Sequence, residues 1–304
     1  MIPLRALFVC VALAACAAPS APEPAPLPPL ASEAEMAAAE QAPLEDDWGE
    51  WNAPVAPYAL IGNIHYVGVS GVSAFLITTP DGHFLLDGAF PQSAPAIIAN
   101  IEALGFNIRD VKYLLNSHAH IDHAGGLARL QQASGATMVA SEGDREALES
   151  GRVGFGAIAP RVRVDRVIGD GETLTLGGVT MTALITAGHT PGCTSWSMDV
   201  RGADGAPHRA FFHCSTTLAG RSLVPPAYPG IAENFRATFA RLRTIEADVL
   251  LTNHPEFADL VGKRARQIAG DANAFVDAGE LQRLNTRLQA TFEAELARQT
   301  AAAN

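Results

Sequence analysis

The chain has 304 residues, 48% of them hydrophobic and 17% charged, which is enough apolar material for one large core or two fused half-domains and excludes an intrinsically disordered chain. Its formal net charge of -11 at pH 7 excludes partners bound by phosphate neutralisation, because a nucleic-acid backbone needs a surplus of lysine and arginine.

The N-terminus reads as an export signal: Arg5 supplies a short positive start, and Ala6 to Ala15 an apolar stretch too short to span a bilayer. Leu13-Ala14-Ala15-Cys16 resembles the bacterial lipobox, which implies a signal over residues 1–16 and a lipidated Cys16 as the mature N-terminus. An ordinary cleavable signal with an incidental Cys16 is the alternative. Ala17 is not the aspartate that retains such lipoproteins in the inner membrane, so the resemblance implies the periplasm with an outer-membrane tether. Residues 17–45 are dominated by Ala, Pro and Glu and predict an extended tether. Residues 46–304 are then the folded body, expected as a monomer.

Tyr58 to Val69, Val72 to Thr79 and His83 to Asp87 are rich in β-branched and aromatic residues and predict strands, the last two joined by a turn at Pro80-Asp81-Gly82. Pro91 to Leu104 carries apolar residues at helical spacing up to Gly105. A buried strand at Val111 to Leu115 leads straight into a histidine cluster. Beyond it the pattern predicts helices at Ala124 to Gln132 and Gly143 to Glu149 around a strand at Thr137 to Ala140. Strands follow at Val162 to Ile168, Thr173 to Leu176 and Val179 to Ile185. The second half predicts a hairpin of Thr194 to Val200 with Arg209 to Cys214 around Gly202-Ala203-Asp204-Gly205, and a helix from Ala232 to Ile245. A strand at Val249 to Thr252 and two C-terminal helices complete it. Two similar halves of mixed strands and helices suggest an α/β chain with two packed sheets and helices outside.

The chemistry lies in His118-Ala119-His120-Ile121-Asp122-His123, four ligand-type side chains in six residues. In extended backbone, residues i and i+2 point to one side, so His118 and His120 can share a cation. Asp122 and His123 follow at a turn, where they can serve a second. Zinc suits imidazole and carboxylate ligands, and two ions need about two further donors. His189, in Gly188-His189-Thr190-Pro191-Gly192, and His254, in Asn253-His254-Pro255, each follow a predicted strand, where site residues gather. His65, His83 and His208 are isolated and read as structural or exposed. His213 is not favoured as a ligand. Cys193 and Cys214 either pair or remain two buried thiols, the commoner state of isolated cysteines.

HxHxDH, a GHTPG histidine and a late histidine after a buried strand together resemble the metallo-β-lactamase superfamily, as do Leu86-Asp87-Gly88, Ser117 to Gly126 and Thr186 to Trp196. The resemblance covers residue 57 to the C-terminus. It implies a four-layer αββα sandwich with a dinuclear zinc site at the edge of the two sheets. Many superfamily hydrolases carry a metal-bridging aspartate where this chain reads His213-Cys214-Ser215-Thr216-Thr217, and no carboxylate stands there. Asp122-His123, Ser215 and His189 to Trp196 resemble subclass B3 metallo-β-lactamases. That likeness implies His118, His120 and His189 around one Zn2+, and Asp122, His123 and His254 around the other. A Cys214 ligand would resemble the other subclasses, but a one-residue step turns a strand side chain to the opposite face, so Cys214 and Ser215 cannot both serve.

The activity so implied is hydrolysis of the β-lactam amide of penicillins, cephalosporins and carbapenems, hence antibiotic resistance. A zinc-activated hydroxide oriented by Asp122 attacks without an acyl-enzyme. Ser215 and Thr217 are expected to contact the substrate carboxylate, with local backbone capping as their alternative role, and Arg221 is added on charge alone. The competing expectations are a hydrolase of the same fold acting on lactones, thioesters or phosphodiesters, and a metal-binding protein without turnover.

Overall fold

A computed structural model of the chain describes residues 28–44 and 48–303. The expected signal, lipobox and Cys16 lie outside them. Strands β1 (Tyr58–Ile61), β2 (Ile64–Tyr66), β3 (Phe75–Thr79), β4 (Gly82–Leu86), β5 (Val111–Leu115), β6 (Thr137–Ala140) and β7 (Arg166–Val167) form one sheet in chain order. Its first four strands are antiparallel and the rest parallel. The second sheet runs β12 (Val249–Thr252), β11 (Pro207–His213), β10 (Thr194–Arg201), β9 (Val179–Ile185), β8 (Thr173–Leu176), antiparallel except for the β11–β12 pair. The helices are α1 (Glu33–Gln41), α2 (Trp48–Trp51), α3 (Ala94–Ala103), α4 (Ile121–Ala124), α5 (Leu127–Ser134), α6 (Glu142–Ser150), α7 (Ile231–Leu242), α8 (Leu260–Ile268) and α9 (Glu280–Ala303).

The side-chain period of two in a strand sorts the first sheet into two cores. Phe75, Ile77, Phe84, Leu86, Leu115 and Val139 face Trp196, Met198 and Phe212 of the second sheet. Their neighbours Leu76, Leu85, Leu114 and Met138 face outward onto α3 and α5. β5 is buried on both faces only at Leu114 and Leu115, where alternation is lost, while Lys112 nearer its start stays exposed. On the far side, Phe235 and Phe239 of α7 pack on Phe292 of α9, each buried aromatic contributing roughly 1.5–3 kcal/mol. The result is the expected four-layer αββα sandwich.

Four local expectations are corrected. Tyr58 to Val69 is two strands, because Gly62 turns the chain at φ +51 and a Cβ there would meet the Arg201 carbonyl at 2.7 Å. Val162 to Ile168 pairs only at Arg166–Val167. The helix expected over Ala124 to Gln132 is α4 and α5, broken at Gly125-Gly126; a Cβ on Gly126 would lie 2.2 Å from the Gly88 carbonyl. The expected tether over 17–45 ends sooner. From Ala31 the chain is bound to the body: Ser32 and Glu35 form a capping box for α1, Met36 is buried, and Arg129 of α5 reaches Glu33 and Glu40. Ala and Glu build no core, but they are strong helix formers, and one apolar anchor suffices to dock the helix.

Candidate metal centre

Strand β5 ends at Leu115, and the chain bends at Ser117 and at His120, which caps α4 at φ -103 and ψ 156. His118 and His120, two residues apart, reach one cluster, and the first turn of α4 swings Asp122 and His123 beside them. The glycine pair that follows lets this turn pack on the 87–91 segment. His189 sits between β9 and β10, and His254 directly after β12. Both sheets therefore contribute at one edge.

All six expected ligands meet there, in two sets whose donor atoms lie within 4.8 Å of one another: His118, His120, His189, and Asp122, His123, His254. In the first, His118 Nε2 and His189 Nε2 are 3.1 Å apart. In the second, His123 Nε2 stands 3.2 Å from His254 Nε2, and Asp122 Oδ2 lies 3.3 and 3.4 Å from these nitrogens. The sets adjoin, with the His118 and His123 rings 4.3 Å apart.

The residues fit a pair of cations. His189 Nδ1 donates to the Thr217 carbonyl at 2.7 Å and His254 Nδ1 to the Gly71 carbonyl at 2.9 Å. Those bonds fix the tautomers and leave each Nε2 lone pair aimed into the cluster. Lone pairs converging at about 3 Å repel unless a cation stands between them. Asp122 Oδ1 is also buried with no hydrogen-bond partner among the described residues. Zinc matches a donor set of imidazoles and one carboxylate.

Outer contacts orient the donors. Asp87 accepts from the Ser117 amide at 2.7 Å and the Ser117 hydroxyl at 2.6 Å, and its Oδ2 lies 3.6 Å from His123 Nδ1. Asp87 sits at φ +64, a conformation aspartate tolerates better than most side chains. Burial pushes its pKa up to about 6, against the opposing pull of His123 and Ser117.

Burial also sets the imidazole charges. It holds His118 well below the ordinary value, lowers His120, and brings His189 down to about 3 and His213 to about 4. Burial disfavours protonation of His254 too, but Asp122 and the Gly71 carbonyl keep its pKa above the ordinary value. These shifts predict the acid stability of the metal-free chain. A histidine neutral in the fold but titrating near 6.5 when unfolded gives the unfolded state more protons below that pH, so stability falls as pH drops. The raised Asp87 and Asp144 carboxyls and the raised His254 act oppositely, but His118, His120, His189 and His213, together with the lowered Asp122, outnumber them. The melting midpoint of chelated protein should therefore fall from pH 7 to pH 4.5. A midpoint that rises over that range contradicts the assignment.

A cleft of about 440 Å³ opens over both sets, lined by Trp48, Trp51, Phe155, Phe257 and Thr217 together with His120, Asp122, His189 and His254. Ser215 is buried behind Thr217: its Oγ accepts the Thr217 amide at 3.2 Å and lies 3.1 Å from the Thr217 hydroxyl. Ser215 thus caps the local backbone, while Thr217 lines the cleft. Arg221 reaches the site, with Nη2 against His120 Nε2.

The family model described as the metallo-beta-lactamase superfamily matches residues 67–203. The crystal structure of BJP-1, a subclass B3 metallo-beta-lactamase of Bradyrhizobium japonicum, is 42% identical at a TM-score of 0.81, covering 85% of this chain and all of that one. The chain belongs to the metallo-β-lactamase superfamily. Among curated relatives, a hydroxyacylglutathione hydrolase of Methylococcus capsulatus is 29% identical over 163 residues, 52% of each chain. The N-acyl homoserine lactonase AttM of Azorhizobium caulinodans is 32% identical over 85 residues, 21% of this chain and 32% of its own. The chain thus spans about half or less of these curated relatives' length.

As a hydrolase of the metallo-β-lactamase type, this chain differs from expectation at its cysteines. Cys193 and Cys214 form a disulfide, with Cα atoms 5.9 Å apart, in place of two buried thiols. The paired sulfur of Cys214 offers no thiolate, although it lies 3.7 Å from His118 Nδ1. His213 points away from the cluster: it stacks on Phe211, and its Nε2 is 3.2 Å from the Thr216 hydroxyl. His65 and His83 both pack edge-on against Phe106, and His208 lies 3.9 Å from Asp248. Sequence reasoning assigned no role to the aromatic walls Trp48, Trp51 and Phe155, which come from two distant segments. It also missed Asp144, a buried carboxylate on α6.

Proposed function

We propose that this metallo-β-lactamase-fold hydrolase opens the β-lactam amide of penicillins, cephalosporins and carbapenems, using two zinc ions. The observation that carries the reading is the separateness of the two donor sets, each complete with three residues, without a carboxylate among residues 213–217 to bridge them. The 42% identity to a subclass B3 enzyme over that enzyme's whole length supports it. When bound, the ions supply a water nucleophile at neutral pH and Lewis acidity toward the scissile carbonyl. Without a serine or cysteine nucleophile, no covalent acyl-enzyme forms.

His118, His120 and His189 hold one ion; Asp122, His123 and His254 hold the other. Asp122, with one oxygen unpartnered among the described residues, orients the attacking water and takes part in its proton's departure. Thr217 on the cleft wall and Arg221 against His120 meet the substrate carboxylate, Ser215 fixing the Thr217 backbone from behind. Trp51, 5.1 Å from the His254 ring, and Phe155, 4.5 Å from His120, wall the cleft and exclude water from the reacting amide. The reading includes export to the periplasm with a lipid on Cys16, on the strength of Leu13-Ala14-Ala15-Cys16.

A second reading, hydrolysis of thioesters or lactones, is favoured by the curated relatives. Initial rates on a penicillin, a cephalosporin, a carbapenem, an acyl-homoserine lactone and a hydroxyacylglutathione separate the two. The proposal expects kcat/KM on at least one lactam to exceed those on lactone and thioester by 100-fold or more. The reverse order overturns it.

A further inference from the structure

The three imidazoles of the first set come from opposite sheets, His118 and His120 after β5 and His189 after β9. Apolar packing between sheets fixes their separation but not their slide, because dispersion contacts carry no direction. The Thr194 amide on the Ser117 carbonyl at 2.8 Å already ties the two ligand segments directionally, and α6 provides a second tie, at the histidines themselves. Asp144, only 3% exposed, accepts the Ala119 amide at 2.9 Å and the Thr190 hydroxyl at 2.8 Å on one oxygen, and the Gly192 amide at 2.9 Å on the other. Ala119 lies between the two histidines of one loop, and Thr190 follows the histidine of the other.

The first turn of α6 is built for this approach. The Ser141 hydroxyl donates to the Gly192 carbonyl at 2.6 Å. A Cβ on Gly143 would meet the Gly192 amide and Pro191 at 2.7 Å, and one on Gly192 would lie 2.3 Å from the Asp144 amide. Asp144 has no ion-pair partner within 4 Å among the described residues; Arg221 attracts it only from a distance. A buried carboxylate without a bonded cation is costly as plain scaffolding. It gains a counter-charge if a dication sits in the three-histidine set, which, unlike the second set, contains no carboxylate.

We propose that Asp144 is a positioning residue for the first metal site: it locks the 118–120 and 189–192 loops in one register and balances the charge of the ion they hold. The inference rests on the metal assignment given above. Support from residues that orient ligands is typically worth 10–100-fold in metal affinity.

The test is zinc titration of the metal-free full chain against a chelator of known affinity, for the parent, Asp144→Asn and Thr190→Val, with His254→Ala identifying which step is the first site. In Asp144→Asn the first-site affinity should fall about 10–100-fold and the second-site affinity change less than about threefold. Its turnover, low at limiting zinc, should recover at saturating zinc, which a general loss of structure would not allow. Thr190→Val keeps the acid and removes one donor, and should weaken the first site by a smaller factor; it decides the matter if Asp144→Asn does not fold. Parent-like titration by a folded Asp144→Asn, equal loss at both sites, or parent-like Thr190→Val where the other variant is unfolded each overturns the proposal. A parent chain that binds no zinc defeats instead the metal assignment beneath it.

Discussion

Replacing Asp122 by alanine should lower kcat/KM on a lactam roughly 10²–10⁴-fold, the range for losing a positioned acid–base group, while leaving the fold in place. Asp122 does two things at once. Its Oδ2 completes the second donor set at 3.3 and 3.4 Å from the two imidazoles, and its Oδ1 is buried and unpartnered among the described residues, free for the attacking water. Burial works against its anion, but His123 and His254 hold the carboxyl well below the usual carboxylate range, so it stays ionised at working pH. Steady-state kinetics with zinc content and thermal melts of the same sample check this. Rates within tenfold of the parent at full zinc loading would remove Asp122 from the chemistry.

The Cys193→Ser/Cys214→Ser double variant should lose about 3 kcal/mol of stability, from the entropy of the chain loop that the bridge closes over a separation of 21 residues. For a chain of this size that is a fall of roughly 6–12 °C in melting midpoint. The position matters as much as the energy. Cys193 lies four residues after His189 and Cys214 one before Ser215, so the bridge ties the first-site loop to the strand end carrying Thr217. Melting curves of parent and variant, with and without reductant, read the effect. A parent whose midpoint is the same after complete reduction contradicts the assigned bridge.

What could be read in advance follows from where each signal is written. His118 to His123 were legible because four ligands share six residues and strand geometry relates them without long-range information. His189 and His254 were legible through the strands before them. The αββα order came from the resemblance, since strand pairing between β11 and β12, across an intervening helix, leaves no local mark. The disulfide was closer to legible than it looked. Centring the hairpin on Gly202 to Gly205 would set Cys193 opposite Cys214, and the actual register, one residue off and centred on Asp204, sets Trp196 opposite Phe212 and position 194, next to Cys193, opposite Cys214. Asp144 had no such trace: one aspartate on an amphipathic helix, 21 residues beyond His123, looks like any solvated first-turn acid until the fold buries it. Likewise Ala and Glu in residues 33–41 suit an exposed tether and a docked helix equally, and only Met36 decides between them.

Lactam hydrolysis dependent on two zinc ions held by these six side chains is the proposed activity. The most direct measurement is carbapenem hydrolysis by the full chain as isolated, after chelation, and after zinc is returned, with bound zinc counted at each stage. Two zinc ions per active chain, loss of turnover to background on chelation, and recovery that tracks zinc occupancy are expected. Hydrolysis that persists in chain shown to be free of metal would contradict it.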